Sequence, residues 1–194
     1  MLAERFLSPS TGWIQIDVSD GKFGRGKNWG NPEEFASLNV RLNTEVHLMV
    51  ENPESSAVSW LKVGARRLII PTQTVGNMNT LAKEARKFRA EVAPSFDLSV
   101  SIAEAEKYLE DFEYIQILAV EPGLGGKEFD PEALERIIFL RGKSRGVKIE
   151  VDGGINPETA VRVLEAGADI LVSGSYIFGS PDPSLSYKEL ESLL

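Results

Sequence analysis

Short apolar segments alternate along this chain with segments of helical spacing, and this alternation limits the possible folds more than any other feature. The apolar segments are rich in Val, Ile and Leu, as expected for strands buried on both faces. They lie near residues 13–18, 44–50, 67–71, 91–95, 113–120, 147–151 and 169–173. Helical spacing is found near residues 32–38, 53–63, 77–90, 101–111, 130–144, 157–166 and 184–193. The pattern predicts an α/β fold with parallel strands and crossover helices.

Capping signals mark the ends of several predicted helices. A side chain that can accept a hydrogen bond precedes proline and an acid at residues 31–33, 52–54, 130–132 and 156–158. This order is typical of helix starts. Gly64 and Gly167 follow two predicted helices, where glycine can end the helix in a left-handed conformation. No linker separates these elements, so we expect one domain over residues 1–194.

Composition argues against several classes of partner. The 194 residues include 21 Lys and Arg against 29 Asp and Glu, which gives a formal charge of −8 and opposes binding to nucleic acid. Cysteine is absent, and no apolar run reaches the ~20 residues of a membrane helix. The first residues also lack the pattern of a secretory signal. We expect a cytoplasmic protein that binds neither nucleic acid nor membrane.

Polar residues are placed at the ends of predicted strands. Asp17 and Asp152 each end an apolar run, His47 lies within another, and a further run ends at Gly174 and Ser175. These strands are near both ends of the chain, so the polar residues converge only if the sheet closes. An open doubly wound sheet would instead gather them at one switch point. The distribution therefore favours a barrel of about seven strands.

Three glycine-rich segments follow the later strands. They comprise residues 123–126, 153–154 and 174–175. Each alone is also what an ordinary strand-to-helix junction contains. Together they can present backbone N–H groups to one phosphate, as late loops of such barrels often do. The segments predict a phosphorylated ligand.

In order along the chain, five motifs resemble the ribulose-phosphate 3-epimerase family. They are Trp13-Ile-Gln-Ile-Asp-Val-Ser-Asp-Gly21, Val46-His-Leu-Met-Val-Glu-Asn-Pro53, Val120-Glu-Pro-Gly-Leu-Gly-Gly126, Val151-Asp-Gly-Gly-Ile-Asn-Pro157 and Val172-Ser-Gly-Ser175. The resemblance spans roughly residues 13–179. It implies a phosphate-binding (β/α)8 TIM barrel that interconverts D-ribulose 5-phosphate and D-xylulose 5-phosphate.

The resemblance also implies roles for individual residues. Asp17 and Asp152 would be the acid/base pair and, with His47, ligands of a divalent metal: Zn, Fe, Mn, Co or Mg. Gln15 stands where the family usually has a metal-binding histidine, so it is included as a fourth candidate ligand. The residues that would bind the sugar phosphate are His47, Gly123, Leu124, Gly125, Gly126, Gly153, Gly154, Gly174 and Ser175.

The residues suit the chemistry of epimerisation. Inverting a carbon beside a carbonyl requires one base on each face and stabilisation of an enediolate. Asp17 and Asp152 supply two carboxylates, and a divalent cation would supply the stabilising charge. Gln15 and Asp17 are two apart on a strand and should point the same way, with Ile14 and Ile16 opposite.

The chain also differs from the family pattern. Only twelve residues precede Trp13, so the first βα unit is expected to be missing from an N-terminally truncated barrel. The edges left unpaired by a missing strand invite pairing with a second chain, which predicts a homo-oligomer. Glu121 places a carboxylate beside the 123–126 segment.

Two alternatives to the epimerase remain open. One is a degenerate barrel that binds a phosphorylated metabolite without catalysis, an interpretation based on the missing strand and on Gln15. The other is a different phosphate-binding barrel enzyme, of the kind that uses an Asp-x-Lys-x-x-Asp motif. The segment Asp17-Val-Ser-Asp-Gly-Lys22 does not have that spacing.

Overall fold

The computed structural model describes residues 3–5, 7, 12–24, 26–122 and 126–194. The strands of this part of the chain are β1 (Trp13–Ser19), β2 (Asn43–Met49), β3 (Arg67–Pro71), β4 (Glu91–Phe96), β5 (Tyr114–Leu118), β6 (Lys148–Asp152) and β7 (Ile170–Val172). They follow chain order in the sheet, and the described pairings between named strands are parallel. All seven predicted strands are confirmed.

Helices connect the strands, as the alternation predicts. They are α1 (Pro32–Ser37), α2 (Pro53–Lys62), α3 (Met78–Arg86), α4 (Ile102–Glu106), α5 (Glu132–Lys143), α6 (Pro157–Ala166), α7 (Ser175–Phe178) and α8 (Pro183–Glu191), with a 3-10 turn at Ala3–Arg5. The sequence did not predict the short α7. None of the helices in the described part of the chain is long and apolar enough to cross a membrane.

Most of the predicted helix ends are confirmed. Asn31 accepts hydrogen bonds from the second and third residues of α1, and Asn156 forms a capping box with Thr159 at the start of α6. Asn52 is the N-cap of α2, as predicted, but its side chain makes no capping hydrogen bond, so the predicted capping contact was wrong. Gly167 ends α6 with a left-handed φ of 112°.

The chain divides into two compact units, Met1–Ala93 and Pro94–Leu194. The expectation of a single domain over residues 1–194 remains a prediction. In the first unit, β1 pairs with β2 and β2 with β3, and helix α2 packs on β2. The core of this unit contains fully buried apolar side chains from β2, β3 and α2: Val46, Leu48, Ala57, Leu68, Ile69 and Ile70.

A buried ion pair lies at the amino-terminal end of the first unit's strands. Arg67 on β3 donates to the carboxylate of Glu45 on β2 at 2.8 Å, and both residues are buried. The Arg67 guanidinium also contacts Glu91 at 3.1 Å and lies 4.4 Å from the centre of the Trp13 ring. Because the charges are removed from water, each depends on its partners for stabilisation.

In the second unit, β5 pairs with β6 and β6 with β7, and helix α5 packs on α4 and α6. Ile115, Ile149 and Val151 are fully buried in this core. Glu150 is also fully buried, and Tyr114 and Gln116 donate to its two carboxylate oxygens at 2.6 and 2.8 Å. The buried carboxyl group is thus hydrogen-bonded rather than isolated.

Asp169 anchors the amino-terminal end of β6 and β7. Its carboxylate accepts hydrogen bonds from the Ile149 N–H at 2.9 Å, from Lys148 at 3.1 Å and from Arg141. Desolvation by itself would raise the pKa of this carboxyl group. The hydrogen bonds from Ile149 and Lys148, with the charges of Arg141 and Lys148, outweigh it and hold the pKa below its ordinary value.

Candidate active site

Asp17 and His47 lie side by side on adjacent strands of the first unit. The parallel register pairs Asp17 on β1 with His47 on β2. The His47 Nδ1 atom is 3.8 Å from Asp17 Oδ1, and the imidazole is fully buried while 48% of the Asp17 side chain is exposed. The arrangement places one buried imidazole against one carboxylate that solvent or a ligand can reach.

Gln15 reaches the same carboxylate. Its Nε2 atom donates to Asp17 Oδ1 at 2.8 Å, which confirms that the two side chains share one face of β1. Sequence spacing predicted the shared face. The direct hydrogen bond could not be predicted from it, because an amide two residues away can also turn towards other groups.

The carboxyl end of β1 is held by Asn28 from the loop that follows. Asn28 accepts a hydrogen bond from the Ser19 N–H at 2.7 Å and donates to the Asp17 carbonyl oxygen at 3.0 Å. The Ser19 hydroxyl donates to the Gly26 carbonyl oxygen at 2.6 Å. The backbone from Asp17 to Ser19 is therefore held by this loop. No motif in the sequence indicated this role of Asn28, which is 11 residues away from Asp17.

Asp20 joins the loops after β1 and β2. Its carboxylate accepts hydrogen bonds from the N–H groups of Lys22 at 2.8 Å, Phe23 at 3.3 Å and Glu51 at 2.9 Å. Desolvation would raise the pKa of Asp20, but these three hydrogen bonds and the charge of Lys22 lower it overall. The residue keeps the two loops together.

A cavity of about 680 Å³ lies beside these loops in the first unit. Its lining comes from the segments 18–32 and 50–60 and includes Asp20, Lys22, Lys27 and Trp60, but neither Asp17 nor His47. The carboxylate of Asp20 is already engaged in the loop hydrogen bonds. The cavity is therefore separate from the pair of candidate ligands.

Asp152 ends β6 in the second unit. It is paired in register with Leu118 on β5 and Val172 on β7, and its carbonyl oxygen accepts a hydrogen bond from the Ala119 N–H at 2.7 Å. The side chain is half-buried. Asp152 thus occupies the strand end predicted for it, directly before two glycines.

Those glycines allow the loops after β5 and β6 to come very close. Gly153 and Gly154 have φ values of +106° and +66°, which side chains rarely adopt. A Cβ atom on Gly153 would be 2.7 Å from Val120, and one on Gly154 would be 2.4 Å from the Phe129 backbone nitrogen. Both positions therefore require glycine for packing as well as for conformation.

The loop after β7 joins the same cluster of loops. The Ser173 hydroxyl donates to the Ile155 carbonyl oxygen at 2.8 Å. Gly174 is the N-cap of α7, so Ser175 begins a short helix where the sequence suggested a loop. Within the described residues, the N–H groups of Gly154 and Gly174 donate no hydrogen bond.

The loop after β5 is described only in part. The predicted phosphate-binding residues Gly123, Leu124 and Gly125 lie outside the described residues. Gly126 has a φ of +84°. Lys127 Nζ donates to the Glu121 carboxylate at 2.9 Å, so the charge of Glu121 is offset by a neighbour that no motif in the sequence indicated.

Comparison with known proteins identifies the family. The family model described as "Ribulose-phosphate 3 epimerase family" matches residues 2–178. The chain belongs to the ribulose-phosphate 3-epimerase family. A ribulose-phosphate 3-epimerase of Chlamydia muridarum is 34% identical over 185 residues, which cover 91% of this chain and 81% of the relative. One from Mycobacterium bovis is 30% identical and covers 92% of this chain and 80% of the relative. Membership places the chain among the carbohydrate epimerases.

Solved structures show the same fold at low sequence identity. KGPDC from Streptococcus mutans has a TM-score of 0.73 at 12% identity and covers 98% of this chain and 88% of its own. The 3-hexulose-6-phosphate synthase from Salmonella typhimurium has a TM-score of 0.69 at 16% identity and covers 99% and 92% of the two chains. The TIM-barrel-type fold predicted from the sequence is confirmed.

The donor set fits a divalent cation. His47 and Asp17 offer an imidazole nitrogen and a carboxylate oxygen, which are common ligands of divalent first-row metals. The structure thus brings together two of the predicted ligands on β1 and β2, and Asp152 ends a strand of the other unit with the glycine loops around it.

Proposed function

We propose that this chain interconverts D-ribulose 5-phosphate and D-xylulose 5-phosphate by proton transfer at the carbon beside the carbonyl. The pair of Asp17 and His47 carries the proposal, because a carboxylate and a buried imidazole lie together in a chain that belongs to an epimerase family. The relatives named above are ribulose-phosphate 3-epimerases, which supports the same substrate here.

Asp17, His47 and Asp152 are proposed to supply the protein ligands of one divalent cation. Zn, Fe, Mn, Co and Mg all accept ligands of these types, so each of the five is a candidate cation. When bound, the cation stabilises the negative charge that develops on the oxygens of the sugar.

The proton transfers are assigned to the two carboxylates. One of Asp17 and Asp152 removes the proton from one face of the carbon, and the other returns a proton to the opposite face. The net reaction inverts that carbon and changes nothing else. Gln15 and Asn28 hold Asp17 by its carboxylate and by its backbone, which keeps the base in a fixed place between turnovers.

The phosphate is proposed to bind at the glycine loops after β5, β6 and β7. The N–H groups of Gly154 and Gly174, which donate no hydrogen bond within the described residues, support this assignment. Backbone amides can hold a phosphate locally although the chain carries a net charge of −8. The ion pair of Lys127 with Glu121 reduces repulsion by the acidic side chain.

The test is epimerisation of ribulose 5-phosphate by the purified chain, with each of the five metals supplied separately. We expect Asp17→Asn and Asp152→Asn to lower kcat by roughly 10²–10⁴-fold, because each removes a general acid or base. Asp169→Asn is the matched control, since Asp169 lies at the other end of β6 from Asp152. It should leave kcat unchanged.

Absence of turnover with every metal, in protein shown to be folded, would contradict the proposal. Retained binding of a phosphate ester in that case would favour the noncatalytic alternative. A cytoplasmic homo-oligomer that binds neither nucleic acid nor membrane remains a prediction, and sedimentation velocity would measure the oligomeric state.

A further inference from the structure

The hydrogen bond between Gln15 and Asp17 points to a role for Gln15 at the metal site, an inference that rests on the proposed function. Gln15 Nε2 lies 2.8 Å from Asp17 Oδ1, and His47 Nδ1 lies 3.8 Å from the same oxygen. The amide thus turns its nitrogen, which cannot bind a cation, towards the carboxylate.

Asp17 requires such a restraint because 48% of its side chain is exposed. An exposed carboxylate on a strand can rotate, and rotation would move both oxygens relative to the buried imidazole of His47. Asn28 fixes only the backbone of Asp17, through the carbonyl oxygen at 3.0 Å. The hydrogen bond from Gln15 acts on the carboxylate itself and comes from the same strand.

We propose that Gln15 is a positioning residue that orients Asp17 and does not itself bind the cation. The spacing of two residues along β1 keeps both side chains on one face, so the hydrogen bond needs no contribution from a mobile loop. The cation then has the imidazole of His47 and two carboxylates as protein ligands. Groups that orient metal ligands typically change metal affinity by about 10–100-fold when they are removed.

The experiment measures Mn²⁺ binding to the metal-free protein and the number of water molecules on the bound ion. Gln15→Met keeps the length of the side chain and removes the donor. We expect it to weaken Mn²⁺ binding roughly 10–100-fold and to leave the inner-sphere water number, measured by oxygen-17 relaxation at saturating Mn²⁺, unchanged. Gln15→Asn, which withdraws the amide by one methylene, should have the same two effects.

Other outcomes overturn the inference. One additional inner-sphere water in Gln15→Met would show that the glutamine is a ligand, and unchanged affinity would show that it does not position Asp17. Mn²⁺ binding by the wild-type protein tests the metal site itself. If the wild type does not bind Mn²⁺, both the proposed ligand set and the role of Gln15 are wrong. If His47→Ala abolishes Mn²⁺ binding, the metal site is supported. An additional water on the Mn²⁺ ion in Gln15→Met would then overturn only the positioning role of Gln15.

Discussion

Replacing Gly154 by alanine tests the close packing of the loops after β5 and β6. Gly154 has a φ of +66°, and a Cβ atom there would be 2.4 Å from the Phe129 nitrogen and 2.6 Å from its Cα atom. These neighbours are backbone atoms, so they cannot move aside as the end of a flexible side chain can. Alanine therefore introduces both a backbone strain and a steric overlap.

The two effects have separate magnitudes. A left-handed conformation costs an L-residue about 1–2 kcal/mol. Overpacking against atoms that yield little adds about 1–3 kcal/mol. Alanine also lowers the entropy of the unfolded chain, which offsets about 0.4–1 kcal/mol. Together these effects should lower the free energy of unfolding of Gly154→Ala by roughly 1–5 kcal/mol, or about 2–20 °C in Tm for a chain of this size.

Gly126→Ala is the matched control for the strain alone. Gly126 lies in the same unit and has a φ of +84°, but no described atom is within 4 Å of its Cβ position. We expect it to lose only about 1 kcal/mol. Urea unfolding monitored by circular dichroism would measure the free energy of unfolding of both variants. Equal destabilisation of the two would refute the reasoning, because the overlap with Phe129 would then contribute nothing.

Three further predictions concern the charged groups. The pKa of Asp169 is lowered on folding, so its contribution to stability is complete above its ordinary pKa and is lost as the pH falls through the folded value. In acid unfolding, Asp169→Asn should therefore lose less stability than the wild type as the pH falls below about 4. Arg67→Met should lower the free energy of unfolding by about 3–5 kcal/mol, measured in urea, because the buried Glu45 carboxylate loses the guanidinium that donates to it at 2.8 Å. A loss below about 1 kcal/mol would contradict this. A divalent cation at 100 times its Kd should raise the free energy of unfolding by about 2.7 kcal/mol, and calorimetry should show that Asp17→Asn removes this gain.

The described elements could be predicted closely because their signals are local. Seven apolar runs gave seven strands, since a strand buried on both faces must be apolar over its whole length. Asn156 was predicted correctly as a cap, because a capping side chain binds N–H groups only two or three residues away. The helix at 175–178 was missed because four residues are too few to show helical periodicity.

Contacts between distant residues could not be predicted in the same way. Nothing in the sequence indicates that Lys127 pairs with Glu121 or that Asn28 binds the backbone of Asp17. Asn52 has the same Asn-Pro-Glu context as Asn31, yet only Asn31 forms the capping hydrogen bonds. Asn31 has the extended backbone typical of a cap, with ψ of 110°, whereas Asn52 has ψ of 79°.

The sequence by itself determined the order of strands and helices, the family, and the candidates Asp17, His47 and Asp152, because periodicity and motifs are properties of neighbouring residues. Only the tertiary structure decided that Asp17 is paired in register with His47 and that Gln15 turns its amide nitrogen towards that carboxylate. Register depends on how strands thirty residues apart align their buried faces, and the direction of an amide depends on which partners that alignment brings within reach.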